Sequence, residues 1–246
     1  MNKTINILLI IIISITSFSC KKNIGDCFKS TGKIITEDRT SSDFHLIYLN
    51  DNVNLVITQD SLNSVIVEAG ENIISSVKTE FINGHLNITN TSSCNWVRSY
   101  AKEITVYVSV NNLDSLKYES SGDVSCTNTI KNDSICVDVW GGAGTIKLDL
   151  ELKIAKLHLH YGTVDMVFRG SSYVTYIYAA SYGPFHCEDL YSSNVYINNR
   201  GTNNCYIRAS KLLEATIESI GDIYYYGNPE EVSSNITGDG ELIKME

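Results

Sequence analysis

The second half of the chain alternates apolar and polar residues in short runs, and each run ends on glycine. "IAKLHLHYG", "YVTYIYAASYG" and "NVYINNRG" are three examples. The punctuating residues are Gly122, Gly144, Gly162, Gly183, Gly201, Gly221 and Gly240, at intervals of 22, 18, 21, 18, 20 and 19. A second short strand follows most of them, such as "TIKLDL", "TVDMVF" or "DIYYY". A period near twenty residues with two strands and two turns per unit predicts an all-β fold, a parallel β-solenoid or β-helix. Aligned on the glycines, Val124, Ile146, Val164, Phe185, Asn203, Ile223 and Leu242 form one inward column, and Cys126, Leu148, Met166, Cys187, Cys205 and Tyr225 a second. Ser125, Lys147, Asp165, His186, Asn204 and Tyr224 between them read as outward.

Residues 31–110 are also strand-rich, with runs such as "FHLIYLN", "VNLVITQ" and "EITVYVSV". Asn83-Gly84 within "INGHLNI" predicts a hairpin. "GENIISSVKTE" is expected to hold a short helical turn. No Pro- or Ser-rich linker separates this half from the coils. One domain over 31–246 is therefore expected, with a strand-rich part at 31–110 and regular coils at 111–246.

Residues 1–19 stand apart. Lys3 precedes the apolar run "INILLIIIISITSF", and "SFSC" ends on Cys20. This is a signal peptide with a lipobox-like end, so residues 20–30 become a tether behind a lipidated Cys20. The expected address is the outer membrane, on its periplasmic face or the cell surface. Lys3 is the one charged residue before Cys20, which leaves 18 basic against 28 acidic residues. An acidic chain with no basic cluster beyond Lys21 and Lys22 excludes a nucleic-acid partner. Of the remaining cysteines, Cys126, Cys187 and Cys205 fall in an inward column and read as small apolar residues. Cys27, Cys94 and Cys136 stay unassigned. A Cys187–Cys205 disulfide is conceivable on successive coils, but reduced thiols are favoured; a Cys27–Cys94 bridge is a weaker option.

The run "FHLIYLNDNVNLVITQD", then "VIVEAGENIISSVKTEFINGHLNI", then "EITVYVSVNNLDSLKYESSGDV", then glycine-punctuated coils resembles the putative auto-transporter adhesin, head GIN domain family of exported Bacteroidetes proteins. The resemblance covers about residues 30–246. It implies a β-solenoid-like fold on a lipoprotein or surface protein and carries over no catalytic residue.

Candidate chemistry is sparse. His158 and His160 share one strand face and could hold a metal, but Asp165 lies across a turn and no CxxC or HExxH completes a site. The pair reads as two solvated outward histidines, with no metal and no cofactor. Asp138 with Asp149 and Glu151, or Glu188 with Asp189, could flank a glycosidic bond, yet no Asp/Arg/Lys cluster shares a column. Tyrosine is more suggestive: 15 occur, and Tyr161 and Tyr182 each precede a turn glycine. With Tyr178 and Tyr196 they make a candidate surface for a glycan or an envelope or matrix protein. The expected function is non-enzymatic and adhesin-like. A polysaccharide lyase or hydrolase on the same scaffold, and a purely structural envelope protein, are the alternatives.

Overall fold

The computed structural model describes residues 31–92 and 103–246. Cys20, the leader, the tether, Cys27 and Cys94 lie outside the described residues. Among the described residues seventeen strands join in one hydrogen-bonded sheet wound into parallel coils. The first group is β1 (Ile34–Arg39), β2 (Leu46–Asp51), β3 (Asn54–Gln59), β4 (Ser64–Gly70), β5 (Val77–Ile82), β6 (His85–Asn90), β7 (Thr105–Val110), β8 (Ser115–Ser120) and β9 (Val124–Cys126). The long strands follow: β10 (Ile130–Gly142), β11 (Thr145–Leu159), β12 (Asp165–Ala179), β13 (Phe185–Asn199) and β14 (Cys205–Ile217). β15 (Ile223–Tyr226), β16 (Glu231–Ile236) and β17 (Leu242–Lys244) complete the stack.

The long strands run past a corner and so supply more than one leg of the coil. In β11 the buried positions are Ile146, Leu148, Leu150 and Leu152, then Ala155, Leu157 and Leu159. The inward phase switches from even to odd at the bend, as a corner requires. Parallel pairing then aligns the legs in register. Before the glycine turn runs the column Leu86, Ile47, Leu116, Val137, Leu157, Ile177, Ile197 and Ala215. After the turn runs Val106, Leu55, Val124, Ile146, Met166, Phe185, Cys205, Ile223 and Leu242. These apolar stacks are the core.

This register corrects all three expected columns. Met166 and Cys205 take the places assigned to Val164 and Asn203, and Val167 and Tyr206 those of Asp165 and Asn204. In the second inward column Phe168 and Ile207 take the places assigned to Met166 and Cys205. The cause lies in the turns, where glycine recurs at two positions two residues apart. An added Cβ at Gly142 would meet Ser120 O at 1.8 Å, at Gly162 Gly142 O at 2.5 Å, and at Gly201 Ser181 O at 2.2 Å. At Gly183 it would meet Val164 O at 2.0 Å, and at Gly221 Asn203 O at 2.2 Å. Gly162 and Gly201 therefore sit one alternation earlier than Gly144, Gly183 and Gly221. Aligning all seven on one column displaces two coils by two residues.

The same shift separates Cys187 from Cys205. Cys205 pairs with Phe185, and Cys187 with Ile207, so the two thiols occupy neighbouring columns. Cys126, Cys136, Cys187 and Cys205 are free thiols. Cys187 and Cys205 are buried, whereas Cys126 is only half-buried.

The first coil stacks out of chain order. β2 lies between β6 and β8, and β3 between β7 and β9, all parallel. Antiparallel strands then cover this end: β4 on β7, β1 on β4, and β5 on β6. They mask edges that would otherwise offer open hydrogen-bonding groups. β5 and β6 form the expected hairpin, with Asn83 and Gly84 both at positive φ (52° and 78°), as a type I′ turn needs. The expected helical turn is a 3-10 turn at Ile74–Ser76.

Two buried polar side chains tie the turns to the core. The Tyr118 hydroxyl proton is shared between the carbonyls of Gly122 (2.7 Å) and Ala143. Burial pushes its phenol well above the usual range. In the same column Asn199 donates to Gly221 O at 2.9 Å and accepts from the Gly201 N–H at 3.0 Å. Tyr118→Phe leaves turn carbonyls without their donor and is expected to lower stability by about 1–3 kcal/mol. Urea unfolding checks this, with the half-exposed Tyr206→Phe expected within about 0.5 kcal/mol of wild type. Burial also pushes the Cys205 thiol up to about 12. Mass spectrometry after iodoacetamide treatment at pH 9 is expected to find Cys205 unmodified in folded protein and alkylated after denaturation.

Candidate functional site

Register places the outward residues of successive coils side by side, about 4.8 Å apart. On the leg before the turn one outward column reads Tyr48, Lys117, Asp138, His158, Tyr178, Asn198 and Thr216. Asp138 is thus the direct neighbour of His158, although twenty residues separate them in sequence. His160 lies two residues further along the same face. The His160 Nε2–Asp138 Oδ1 distance is 2.9 Å, and the His158 Nδ1–Asp138 Oδ1 distance is 3.5 Å. The three side chains are only 24–28% exposed.

Neighbouring rings hold the group in place. Trp140 stacks on His160 with centroids 3.9 Å apart and planes 11° apart. Its indole N–H donates to Asp138 Oδ2 at 2.5 Å, which leaves Oδ1 to the histidines. Tyr178 lies 5.3 Å from His160 on the other side. Burial lowers the His158 pKa below its ordinary value; Asp138 pulls the other way and the neighbouring His160 adds to the lowering. An open depression beside the group is lined by His160, Tyr161, Tyr178, Ala180 and Arg200. Arg200 donates to the Tyr178 hydroxyl at 3.3 Å and pairs with Glu218 at 3.2 Å.

Asp165 does not join this group. It pairs with Thr145 on the leg after the turn, so the bend carries it away. The histidines are therefore half-buried and share a carboxylate from the preceding coil. Sequence reasoning missed Asp138 in this role because its partnership depends on register. It missed Trp140 because the ring belongs to a run read only as a coil strand.

The four tyrosines singled out from sequence do not form one row. The Tyr182 N–H donates to Gly162 O, while Thr163 donates to Gly142 O and Thr202 to Ser181 O. Tyr182 therefore shares its position with Thr163 and Thr202, not with Tyr161. Tyr161 tilts towards Trp140 at 6.4 Å. Tyr196 stacks on Tyr176 at 5.1 Å, one outward column from Tyr178. On the other leg His186, Tyr206 and Tyr224 form a further stack, at 5.2 and 5.0 Å. Arg208 sits over both Tyr191 (4.9 Å) and Tyr226 (5.3 Å).

The carboxylates considered for hydrolysis are dispersed. Asp138 and Asp149 lie on different legs, and Glu151 pairs with Lys131 at 2.6 Å. Glu188 faces His186 at 3.6 Å, and Asp189 faces Arg169 at 3.8 Å. The Cys136 thiol is raised in pKa by burial, which disfavours a nucleophilic thiolate.

Residues 43–229 match the family described as putative auto-transporter adhesin, head GIN domain. The chain belongs to that family. Solved structures share the fold. A putative adhesin from Bacteroides fragilis NCTC 9343 superposes with a TM-score of 0.77 at 18% identity, over 87% of this chain and 97% of the other. A putative adhesin from Parabacteroides distasonis ATCC 8503 gives 0.66 at 16% identity, over 87% and 98%. A putative lipid binding protein from the same organism gives 0.67 at 18% identity, over 88% and 98%. No curated protein matches the chain. The family and these adhesin neighbours bear adhesin descriptions rather than enzyme ones, which fits an extracellular or envelope location. Among the described residues no helix is long and apolar enough to cross a membrane.

Desolvation gives His158 a testable signature. Its ring signals in an NMR pH titration are expected to move with a midpoint below about 6.5, the unperturbed value. The unfolded chain then takes up the proton first. Stability contributed by neutral His158 is present above that value and falls as pH drops through it. Wild type is expected to lose more stability than His158→Gln between pH 7.5 and 5; equal losses contradict the assignment.

Proposed function

We propose that this chain is a non-enzymatic protein of the cell envelope, anchored by lipid at Cys20, that binds a glycan or a protein partner through the aromatic edge of its solenoid. One observation carries the reading. Tyr161 and Tyr182, both beside glycine turns, are 65% and 64% exposed. Tyr176 and Tyr196, and Tyr206 and Tyr224, instead turn their ring faces to each other. A ring with a free face can stack on a sugar or pack against a protein while its hydroxyl hydrogen-bonds. Trp140, 43% exposed, extends the edge beyond Tyr161. Tyr178 lies beside them, lining the depression with Tyr161 and Arg200.

One structural neighbour is described as a putative lipid binding protein. In this chain the inward columns are filled by Ile, Leu, Val, Phe and Met side chains, so a lipid would have to lie on an outward face. The aromatic edge serves an amphipathic ligand less well than a polar one, because Arg200 and Glu218 flank it.

A glycan array probed with the intact chain tests the proposal, alongside binding to immobilised envelope and matrix proteins. Saturable binding to a defined class is expected, weakened at least tenfold in Tyr161→Ala/Tyr182→Ala. Tyr206→Ala, on the other leg, is expected to bind as wild type. Loss confined to Tyr206→Ala would move the surface to that leg. Turnover of a polysaccharide would replace the reading with an enzymatic one.

A further inference from the structure

We propose that Asp138, His158 and His160 form a binding site for one divalent transition-metal ion of the imidazole-preferring kind, such as Zn²⁺ or Cu²⁺. Among the described residues this is the group of three whose potential ligand atoms all lie within 4.8 Å of one another. Two of the three ligand-atom distances suit a metal directly, and the third lies within 4.8 Å. With bonds of about 2.0–2.1 Å at tetrahedral angles, neighbouring ligand atoms stand about 3.3 Å apart. The two nitrogen–oxygen separations, 2.9 and 3.5 Å, bracket that value. Two imidazoles and one carboxylate favour Zn²⁺ or Cu²⁺ over Ca²⁺ or Mg²⁺, which prefer all-oxygen cages.

The supporting contacts are those of a prepared site. The carboxylate of Asp138 offers two oxygens, and the Trp140 indole occupies one of them. Metal-bound carboxylates are held by hydrogen bonds in this manner. His160 is fixed between Trp140 and Tyr178, so its Nε2 keeps its aim at Asp138 Oδ1. The scaffold adds rigidity. His158 and His160 share one strand, Asp138 lies on the adjacent hydrogen-bonded strand, and inward Val137, Val139, Leu157 and Leu159 anchor both from beneath. A neutral His160 ring that binds the ion through Nε2 carries its one proton on Nδ1, so the proton of the Nε2–Asp138 Oδ1 contact is transferred through solvent to Nδ1 as the ion enters.

Three protein ligands leave a fourth position open. Incomplete burial of all three side chains admits water there. The depression lined by Tyr161, Tyr178 and Arg200 lies beside His160, so an oxygen donor from a larger ligand could take the same position. The metal site stands independently of the proposed glycan or protein ligand.

The test is titration of the intact chain with Zn²⁺ by calorimetry, and with Co²⁺ by visible absorption. One ion per chain is expected, with the intensified Co²⁺ bands of a low-coordinate site and reversal by EDTA. His158→Gln, His160→Gln and Asp138→Asn are each expected to weaken Zn²⁺ binding by about 100-fold or more. Trp140→Phe removes only the supporting indole and is expected to cost about tenfold. His186→Gln, a histidine on the other leg, is expected to bind as wild type. Absence of saturable Zn²⁺ binding overturns the proposal, as does binding unchanged in both His158→Gln and His160→Gln. Should a variant fail to fold, the wild-type Co²⁺ spectrum still decides, because a spectrum identical to that of the hydrated ion overturns the site.

Discussion

The structure rests on backbone hydrogen bonds that stack each coil on the one before it, through the turns as well as the strands. Ala143 donates to Ser120 O, Thr163 to Gly142 O, and Tyr182 to Gly162 O. Turn backbones can approach this closely only where side chains are absent or small. A Cβ at Gly142, where φ is +107°, would sit 1.8 Å from the carbonyl below. Since turns stack, legs stack, and where the legs pair in register each side chain lies directly above its counterpart in the previous coil. Core columns, ring stacks and the histidine–aspartate group all follow from that alignment.

Much of this was legible in sequence, because a solenoid repeats its reasons. The period, the hairpin at Asn83-Gly84 and the apolar inward positions are each set by local residues. The exact register was not. Glycine recurs at two turn positions, two residues apart and so in the same phase, and alternation cannot say which one a given glycine fills. Gly162 and Gly201 fill the first, leaving Val164 and Asn203 at the second. Aligning on apolar residues instead would have set Met166 beside Phe185 and Cys205 beside Ile223, as the pairing does. The histidine group was hidden for the same reason. A search within one coil found Asp165, whereas register supplied Asp138 from the coil before.

Stacking also changes what an aromatic row means. Rings in one outward column meet face to face along the axis, as Tyr206 and Tyr224 do with planes 16° apart. Such pairs add about 0.5–1.5 kcal/mol each to the cohesion between coils. Their faces are then occupied, and edges and hydroxyls are left to solvent. A count of tyrosines thus overstates the free aromatic surface. The two most exposed tyrosines among the described residues, Tyr161 and Tyr182, stand beside the glycine turns.

Inward and outward columns accordingly obey different rules. An inward residue must match the volume of its neighbours above and below, so the core tolerates change only within apolar bounds. An outward residue needs only to avoid clashing with the next coil. Shared topology at 16–18% identity in the solved neighbours is what that division permits. Function on such a scaffold is written between coils. His158 acquires its carboxylate from one strand away, and Arg208 lies over tyrosines that bracket it in sequence, Tyr191 and Tyr226. A single outward substitution can therefore create or erase a site without disturbing the core beneath it. Asp138 has that standing: its side chain is outward and its flanking Val137 and Val139 hold the coil. The chemistry of this face depends on it far more than the fold does.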